Sequence, residues 1–456
     1  MKSYDVIVIG SGCGAIISDE ATAHGLKTAL VDKGPLIGGT CLNWGCIPSK
    51  QLIFPADRIV EMQEAARLGV MAEVKDIDFR GIMKRMRESR RESQVHLREG
   101  VKQAKKLDFY EGVASFVDDF TLEVDGARIK GKKIFIASGS RPFIPPLKGL
   151  GNVRFLNNES VLELEEKPES LIIIGGGYIA VEFGHFFAAM GTKVTILEMA
   201  DRLVLSEEPE VAGLLKKKLG ERMGVHTGFE AGEVRAGKEG VEVVTKDKKS
   251  GRSRTFGARS LMIAVGRRSN ADLLKVEKTG VALDDRGFIK VNGFMETSRK
   301  GIYAVGDANG MQMFTHMANR EAAVAAHNVF HDDTIPVDYA AVPHAVYSYP
   351  QVASVGLGEA EAAKDHDIVV GRTMYLATAK GQAMLETEGF AKAIVEKETE
   401  KLLGFHIIGP GAPVLIQEVV NAMASGGGTG EINRGIHIHP ALSELIPWTL
   451  NGVGEG

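Results

Sequence analysis

Two strand-turn-helix passages that begin about 165 residues apart constrain this chain more than any other feature. In the first, the β-branched run Tyr4 to Ile9 reaches Gly10, a small-residue loop follows, Ala15 to His24 is helical in pattern, and Lys27 to Val31 reads as a second strand. In the second, Ser170 to Ile174 runs into Gly175-Gly176-Gly177, then a helix through Met190, then Lys193 to Leu197. Each is the βαβ opening of a dinucleotide fold, so an α/β chain with two Rossmann-like domains is expected. The wide separation marks a duplicated domain type and excludes a solenoid.

The loops carry the chemistry. Gly10 permits a tight turn, and Gly12 lets the backbone approach a pyrophosphate at the helix N-terminus. Ala15, where a third glycine is usual, is still small enough for close helix-strand packing. Asp32, 22 residues after Gly10, is placed to accept hydrogen bonds from a ribose. The second loop offers Gly175, Gly177 and Ala180, with Glu198 23 residues after Gly175. A carboxylate there favours a free 2′-hydroxyl and repels a 2′-phosphate, so NAD(H) is expected over NADP(H). Arg202 and Arg267 read either as phosphate contacts or as surface ion-pair residues.

At 456 residues the chain exceeds one ordinary core. A net charge of −4 supplies no basic face for nucleic acid. No apolar run approaches the roughly 20 residues of a membrane span, and Met1 leads directly into the first strand without the pattern of a signal peptide. A soluble cytoplasmic protein is expected, with no membrane and no nucleic-acid partner. Pro145-Pro146 with Gly149 and Gly151 reads as one linker and Thr334 to Pro343 as another. Beyond the second lies an α+β module with strands at Ala345 to Tyr347 and Ala391 to Val395 and helices at Pro413 to Met423 and Ala441 to Leu445. Lys84 to Lys106 reads as a long solvated helix, and Lys246 to Arg254 as a hairpin tip. The expected division is 1–147 and 271–335 for a first nucleotide-binding domain, 148–270 for a second, and 336–456 for the C-terminal module.

The chain has three cysteines, Cys13, Cys41 and Cys46, too few for a secreted disulfide framework. Five residues in a regular helix would separate the Cys41 and Cys46 Cα atoms by about 8 to 9 Å, whereas a bridge wants less than about 7 Å. Gly45 allows the necessary distortion, and Pro48 suits the first turn of a helix beginning near Cys46, whose positive end would stabilise a thiolate. From these residues alone a redox bridge, a pair of buried reduced thiols and half of a metal site all stand, although no further cysteine completes a zinc set. Cys13 reads as a small filler under the first loop.

The stretch Gly39-Thr40-Cys41-Leu42-Asn43-Trp44-Gly45-Cys46-Ile47-Pro48-Ser49-Lys50 resembles the CLNxGCIPSK motif of class I flavoprotein pyridine nucleotide-disulfide oxidoreductases, in the form closest to dihydrolipoamide dehydrogenases. Ala137 to Pro142, Ala264 to Asn270 (with Ser269 for the usual Pro), Tyr303 to Asp307, and His437 to Glu444 (with Ala441 for the usual Thr) resemble further motifs of that family, which together span nearly the whole chain. The resemblance implies FAD on the first loop, NAD(H) on the second, no metal, and a redox-active Cys41–Cys46 disulfide. It implies flavin contacts from Gly10, Gly12, Gly14, Asp32, Lys33, Gly39, Thr40, Ala114, Ser138, Gly139, Ser140 and Asp307, with Met313, Phe314, Thr315 and His316 closing over the ring. Lys50 and Glu182 would pair beside the flavin. NAD(H) would meet Gly175, Gly177, Tyr178, Ile179, Glu198, Val234 and Gly266.

The same resemblance makes His439 the acid/base, oriented by Glu444 and reaching the disulfide of the other subunit of a homodimer; His437 reads as a packing or interface residue. The implied reaction is dihydrolipoyl group + NAD+ to lipoyl group + NADH, with the lipoyl group free or carried on a lipoyl domain. Reduction of another small disulfide, of the glutathione, mycothione or coenzyme A type, is the alternative. Tyr178 resembles the gating tyrosine of glutathione-type reductases, and Trp44 is unusual between the cysteines. The absence of a C-terminal cysteine pair argues against mercuric reductase, and the presence of both redox cysteines against transhydrogenase. A flavin-binding scaffold without turnover is the reading from another class, against which the complete Cys, His and Glu set argues.

Overall fold

The computed structural model describes residues 1–238 and 240–453; Glu239 and the last three residues of the expected 336–456 segment lie outside that description. The chain divides into two compact units. The first comprises Met1–Ser49, Lys84–Phe143 and Gly266–Asp338, and the second Lys50–Met83, Ile144–Val265 and Tyr339–Gly456.

The first unit is built on a mostly parallel sheet. Leu107–Glu111, Thr28–Asp32, Lys2–Ile9 and Ala127–Ile136 lie side by side in that order, all parallel. Ala127–Ile136 is shared along its length: residues 127–130 pair antiparallel with Thr121–Val124, and residues 134–136 pair parallel with Ile302–Ala304. The chain after Gly266 therefore completes the sheet that the N-terminus began. Ile7, Val8, Ile134 and Phe135 are fully buried, as strands covered on both faces require. Helices Gly14–Ala23 and Thr315–Phe330 pack against each other. The helix expected over Lys84 to Lys106 forms as Phe79–Gln103.

The second unit repeats the parallel theme in Gly224–Thr227, Lys193–Glu198, Ser170–Ile174 and Ser260–Ile263. An antiparallel set follows, Phe229–Gly237, Gly240–Asp247 and Ser253–Ala258, and the turn joining its last two strands is the expected hairpin tip. The C-terminal module is a five-stranded antiparallel sheet ordered Pro343–Val346, Val352–Gly356, Leu402–Ile408, Phe390–Glu396, Ile368–Met374, with Ala412–Ala424 packed on it. One expectation is corrected: Ala441 to Leu445 is not a helix. Leu442–Glu444 forms a single tight turn and the helix is Leu445–Asn451, because Glu444 Oε2 reaches back to accept the Ala441 N–H at 3.0 Å and caps the segment there. Among the described residues no helix is long and apolar enough to cross a membrane.

Lys392 ties the nucleotide fold of the second unit to its C-terminal sheet. Its ammonium, 3% exposed, meets Glu208 at 2.7 Å, Glu210 at 2.8 Å and Glu359 at 2.5 Å. Lys392→Ala leaves buried Glu208 without its cation and is expected to cost about 3 kcal/mol or more, read as a clear fall in the thermal midpoint; an unchanged midpoint contradicts the role.

Candidate active site

The two glycine loops follow one backbone course. Gly10 has φ +104°, and a Cβ there would stand 2.2 Å from the Ala137 carbonyl oxygen; Gly175 has φ +116°, and its Cβ would stand 2.2 Å from the Ala264 carbonyl oxygen. In both copies the loop crosses directly over the residue that ends a neighbouring strand, and only glycine fits. Asp32 accepts from the Ser11 N–H at 2.8 Å and the Gly34 N–H at 3.1 Å. It thus shapes the loop as well as offering a ribose acceptor, since a carboxylate has about four lone-pair sites.

The first unit keeps a polar cradle beyond this loop. Ser138 Oγ is buried without a hydrogen-bond partner, an orphan that a bound group would satisfy. Ser140 Oγ donates to Asp307 Oδ2 at 2.5 Å. Arg267, read from sequence as a phosphate contact or a surface ion-pair residue, does not lie on the surface: its side chain is 8% exposed, it donates to Ser140 Oγ at 2.7 Å and Ser140 O at 2.8 Å, and it pairs with Asp307 at 3.6 Å. The residues present fit FAD: a close-approach glycine loop, an unsatisfied hydroxyl and an oriented carboxylate. Gly14 starts the first helix and Ala114 starts a buried strand. Lys33 stands over the Trp44 ring at 5.7 Å, and the Gly266 carbonyl accepts from Phe143 N–H at 2.9 Å.

The redox segment lies against the same loop, so close that a Cβ on Gly39 would stand 2.7 Å from the Gly12 Cα. Gly39–Asn43, which includes Thr40, is a short helix, the chain breaks at Trp44, and a second helix runs Cys46–Glu64. This break is the distortion the cysteine spacing demands, and Gly45 serves it by close approach, since a Cβ there would meet Thr40 O at 3.0 Å. Cys41 and Cys46 are unbridged thiols. The Cys41 thiol is held far above its ordinary range, first by its hydrogen bond to Cys46 and then by burial. Cys46 Sγ also lies 3.2 Å from Thr315 Oγ1, at the start of Thr315–Phe330, so two helix N-termini meet at this sulfur and favour negative charge there. Sequence reasoning placed Thr315 only beside the flavin; nothing local connects residues this far apart. Phe314 stacks on His316 at 5.5 Å, with Met313 preceding them. Cys13 is half-buried, and desolvation pushes its thiol up to about 12, which leaves it protonated and inert.

In the second unit, Lys50 Nζ meets Glu182 Oε2 at 2.8 Å and Oε1 at 3.0 Å, and Glu182 also accepts from the Tyr347 N–H at 3.1 Å. The two side chains pair, with Glu182 8% exposed. Gly177 precedes the helix Tyr178–Ala189, which places Tyr178 and Ile179, both half-buried, in its first turn. Glu198 accepts from the Ala200 N–H at 2.7 Å. Val234 is fully buried among Ile172, Ile174 and Ile263. His439 Nδ1 lies 2.8 Å from Glu444 Oε1, with the histidine side chain 68% exposed. The hydrogen bond to His439, followed by that from Ala441, holds the Glu444 carboxyl below its ordinary range. His437 Nε2 lies 2.7 Å from Glu418 Oε1.

Comparison with known proteins agrees with this geometry. Residues 4–324 match the family described as pyridine nucleotide-disulphide oxidoreductase, and residues 342–450 match its dimerisation domain. The chain is similar to dihydrolipoyl dehydrogenase of Geobacillus stearothermophilus, 36% identical over 97% of this chain and 94% of that one. It is also similar to mycothione reductase of Mycobacterium tuberculosis, 34% identical over 99% and 100%. Among solved structures, the HOCl-induced flavoprotein disulfide reductase RclA from Escherichia coli superposes with a TM-score of 0.88 at 27% identity, over 98% of this chain and 99% of that one.

Proposed function

Because the chain belongs to the pyridine nucleotide-disulphide oxidoreductase family, and is an FAD-dependent enzyme that uses a pyridine nucleotide, we propose that it oxidises a dihydrolipoyl group with NAD+ through a Cys41–Cys46 disulfide. The observation that carries this reading is the thiol pair itself: the Cys41 thiol hydrogen-bonded to Cys46, and Cys46 Sγ 3.2 Å from Thr315 Oγ1 at a helix start. We assign 1–147 and 271–335 to the flavin, 148–270 to NAD(H), and 336–456 to the interface of a cytoplasmic homodimer. Ile436 and Ile438, beside His439, are fully and three-quarters exposed, an apolar face that a second copy would cover.

When bound, the flavin supplies a two-electron relay between the dithiol and the nicotinamide. The partner subunit's His439 takes a proton from the substrate dithiol, its tautomer fixed by Glu444. The substrate thiolate attacks Cys41 Sγ, and Cys46 leaves as a thiolate stabilised by the two helix ends and the Thr315 hydroxyl. The second substrate thiol then displaces Cys41 and closes the substrate disulfide. Lys50 and Glu182 hold opposite charges in fixed register, and Glu198 reads the ribose.

A steady-state panel of lipoamide, glutathione disulfide, mycothione and bis-coenzyme A disulfide, each with NADH and NADPH, tests the assignment. Lipoamide with NADH should give the highest kcat/KM; a better rate with another disulfide, the outcome Tyr178 would favour, replaces the substrate. Glu198→Arg should shift the NADH to NADPH preference ratio by about tenfold or more, on the order of one lost ribose contact plus one gained charge. An unchanged ratio contradicts the role of Glu198.

A further inference from the structure

Within the second unit, the helices Cys46–Glu64 and Tyr178–Ala189 are joined by polar contacts at two places, and the expected site residues account for one. That one is the Lys50–Glu182 pair. At the other, His185 is fully buried, its Nε2 lies 2.8 Å from Asp57 Oδ1, and Arg222 Nη1 lies 3.0 Å from its Nδ1. A guanidinium has no acceptor, so Nδ1 must accept and the single ring proton sits on Nε2, donated to the Asp57 carboxylate. Burial, which pushes the imidazole below its ordinary range, agrees with a neutral ring. His185 thus bridges a buried carboxylate and a half-buried guanidinium with both nitrogens engaged.

Both joints meet the same short segment of the C-terminal module. Tyr347 N–H donates to Glu182 Oε1 at 3.1 Å, and the Lys50 ammonium lies over the Tyr347 ring at 4.5 Å. Two residues on, the Tyr349 carbonyl accepts from Arg222 Nη2 and the Tyr349 ring stacks on His185 at 6.3 Å. Along Tyr178–Ala189, the residues Tyr178, Glu182 and His185 stand at i, i+4 and i+7, and so on one face. Phe79 packs beside this joint, its ring centroid 6.0 Å from that of Phe186 and 6.4 Å from that of Phe187. Apolar packing of that kind holds two helices together; directional bonds at both ring nitrogens also fix how far the second helix turns about its axis.

Resting on the flavin and NAD(H) readings above, we propose that Asp57, His185 and Arg222 are positioning residues for hydride transfer. By fixing the rotation of Tyr178–Ala189 they hold Tyr178 at the nicotinamide and Glu182, with Lys50, beside the flavin ring. They touch neither reactant and add no chemical step. Their effect falls on the transfer between NADH and flavin, and not on thiol exchange at Cys41.

Anaerobic rapid mixing of the flavin-loaded protein separates the two half-reactions. In His185→Leu, which removes both bonds, flavin reduction at saturating NADH should slow by about tenfold or more, since a misplacement of about 1 Å can cost 10²-fold. The NADH concentration giving half that rate should stay near native, because the glycine loop and Glu198 are untouched. Flavin reduction by dihydrolipoamide, or by dithiothreitol where the native protein does not take dihydrolipoamide, should also stay near native. His185→Gln, which offers Arg222 an acceptor and Asp57 a donor, should recover most of the NADH rate. His185→Asn, too short to reach both partners, supplies the measurement if the leucine variant does not fold. Equal slowing of both half-reactions, a glutamine variant as slow as the leucine one, or an unchanged NADH rate overturns the proposal while leaving the oxidoreductase reading intact. A native flavin that NADH does not reduce overturns both.

Discussion

Replacing Cys41 by Ser is expected to abolish disulfide turnover, by about 10³-fold or more as for other removed nucleophiles, while NADH still reduces the flavin and an artificial acceptor still reoxidises it. The asymmetry of the pair is the reason. In the proposed reaction Cys41 is the sulfur that the substrate thiolate attacks. Cys46, touching Thr315 at a helix start, is the sulfur that leaves with charge. Cys46→Ser should also end turnover, but with a different signature: Cys41 can still attack a disulfide, so a stable mixed disulfide accumulates with the substrate. Equal trapping in both variants would contradict the division of roles.

Replacing His439 by Gln should slow the thiol steps by about 10² to 10⁴-fold, the usual contribution of a positioned acid/base, with little change in the NADH–ferricyanide rate. Glu444→Gln should reproduce much of that loss, about 10²-fold or more, by releasing the imidazole from its tautomer. The pH dependence tests the carboxylate. Glu444's carboxyl is held below its ordinary range, first by His439 and then by the Ala441 N–H. A depressed carboxyl keeps its interaction throughout neutral and mildly acidic pH and loses it only as pH falls through the depressed value. Neutral and mildly acidic pH should therefore leave the Glu444 contact intact, so Glu444→Gln should lower kcat/KM by a similar factor across that range. A loss that changes steeply within it would contradict the role of the carboxylate.

What the sequence disclosed and what it withheld follow from the range of the interactions. Gly10 and Gly175 were legible because a tight turn after a β-branched run is a local event, and both loops adopt the positive φ it requires. The Lys50 and Glu182 pair was legible only through motif resemblance, because the partners lie 132 residues apart and touch through tertiary packing alone. Thr315 at Cys46 and Arg267 at Asp307 were missed or misread for the same reason: no spacing rule links a hydroxyl to a thiol 269 residues away. Strands Val352–Gly356 and Leu402–Ile408 went unread because short apolar runs buried along nearly their whole length lack the alternation that marks a half-exposed strand. The helix at Lys84 was legible as an element from its periodicity, whereas the bonds of Arg90 and Gln94 to Asn43 are invisible in one dimension.

The central claim is that Cys41 and Cys46 form a disulfide that NADH reduces through the flavin. Thiol alkylation at neutral pH under anaerobic conditions, before and after one equivalent of NADH, tests it most directly, with sites assigned by peptide mass. The account predicts a Cys41–Cys46 cross-linked peptide before NADH, alkylation of both residues after it, and no labelling of Cys13, whose thiol is pushed up to about 12. Full labelling of Cys41 and Cys46 before NADH is added, or a cross-link that survives flavin reduction, would contradict it.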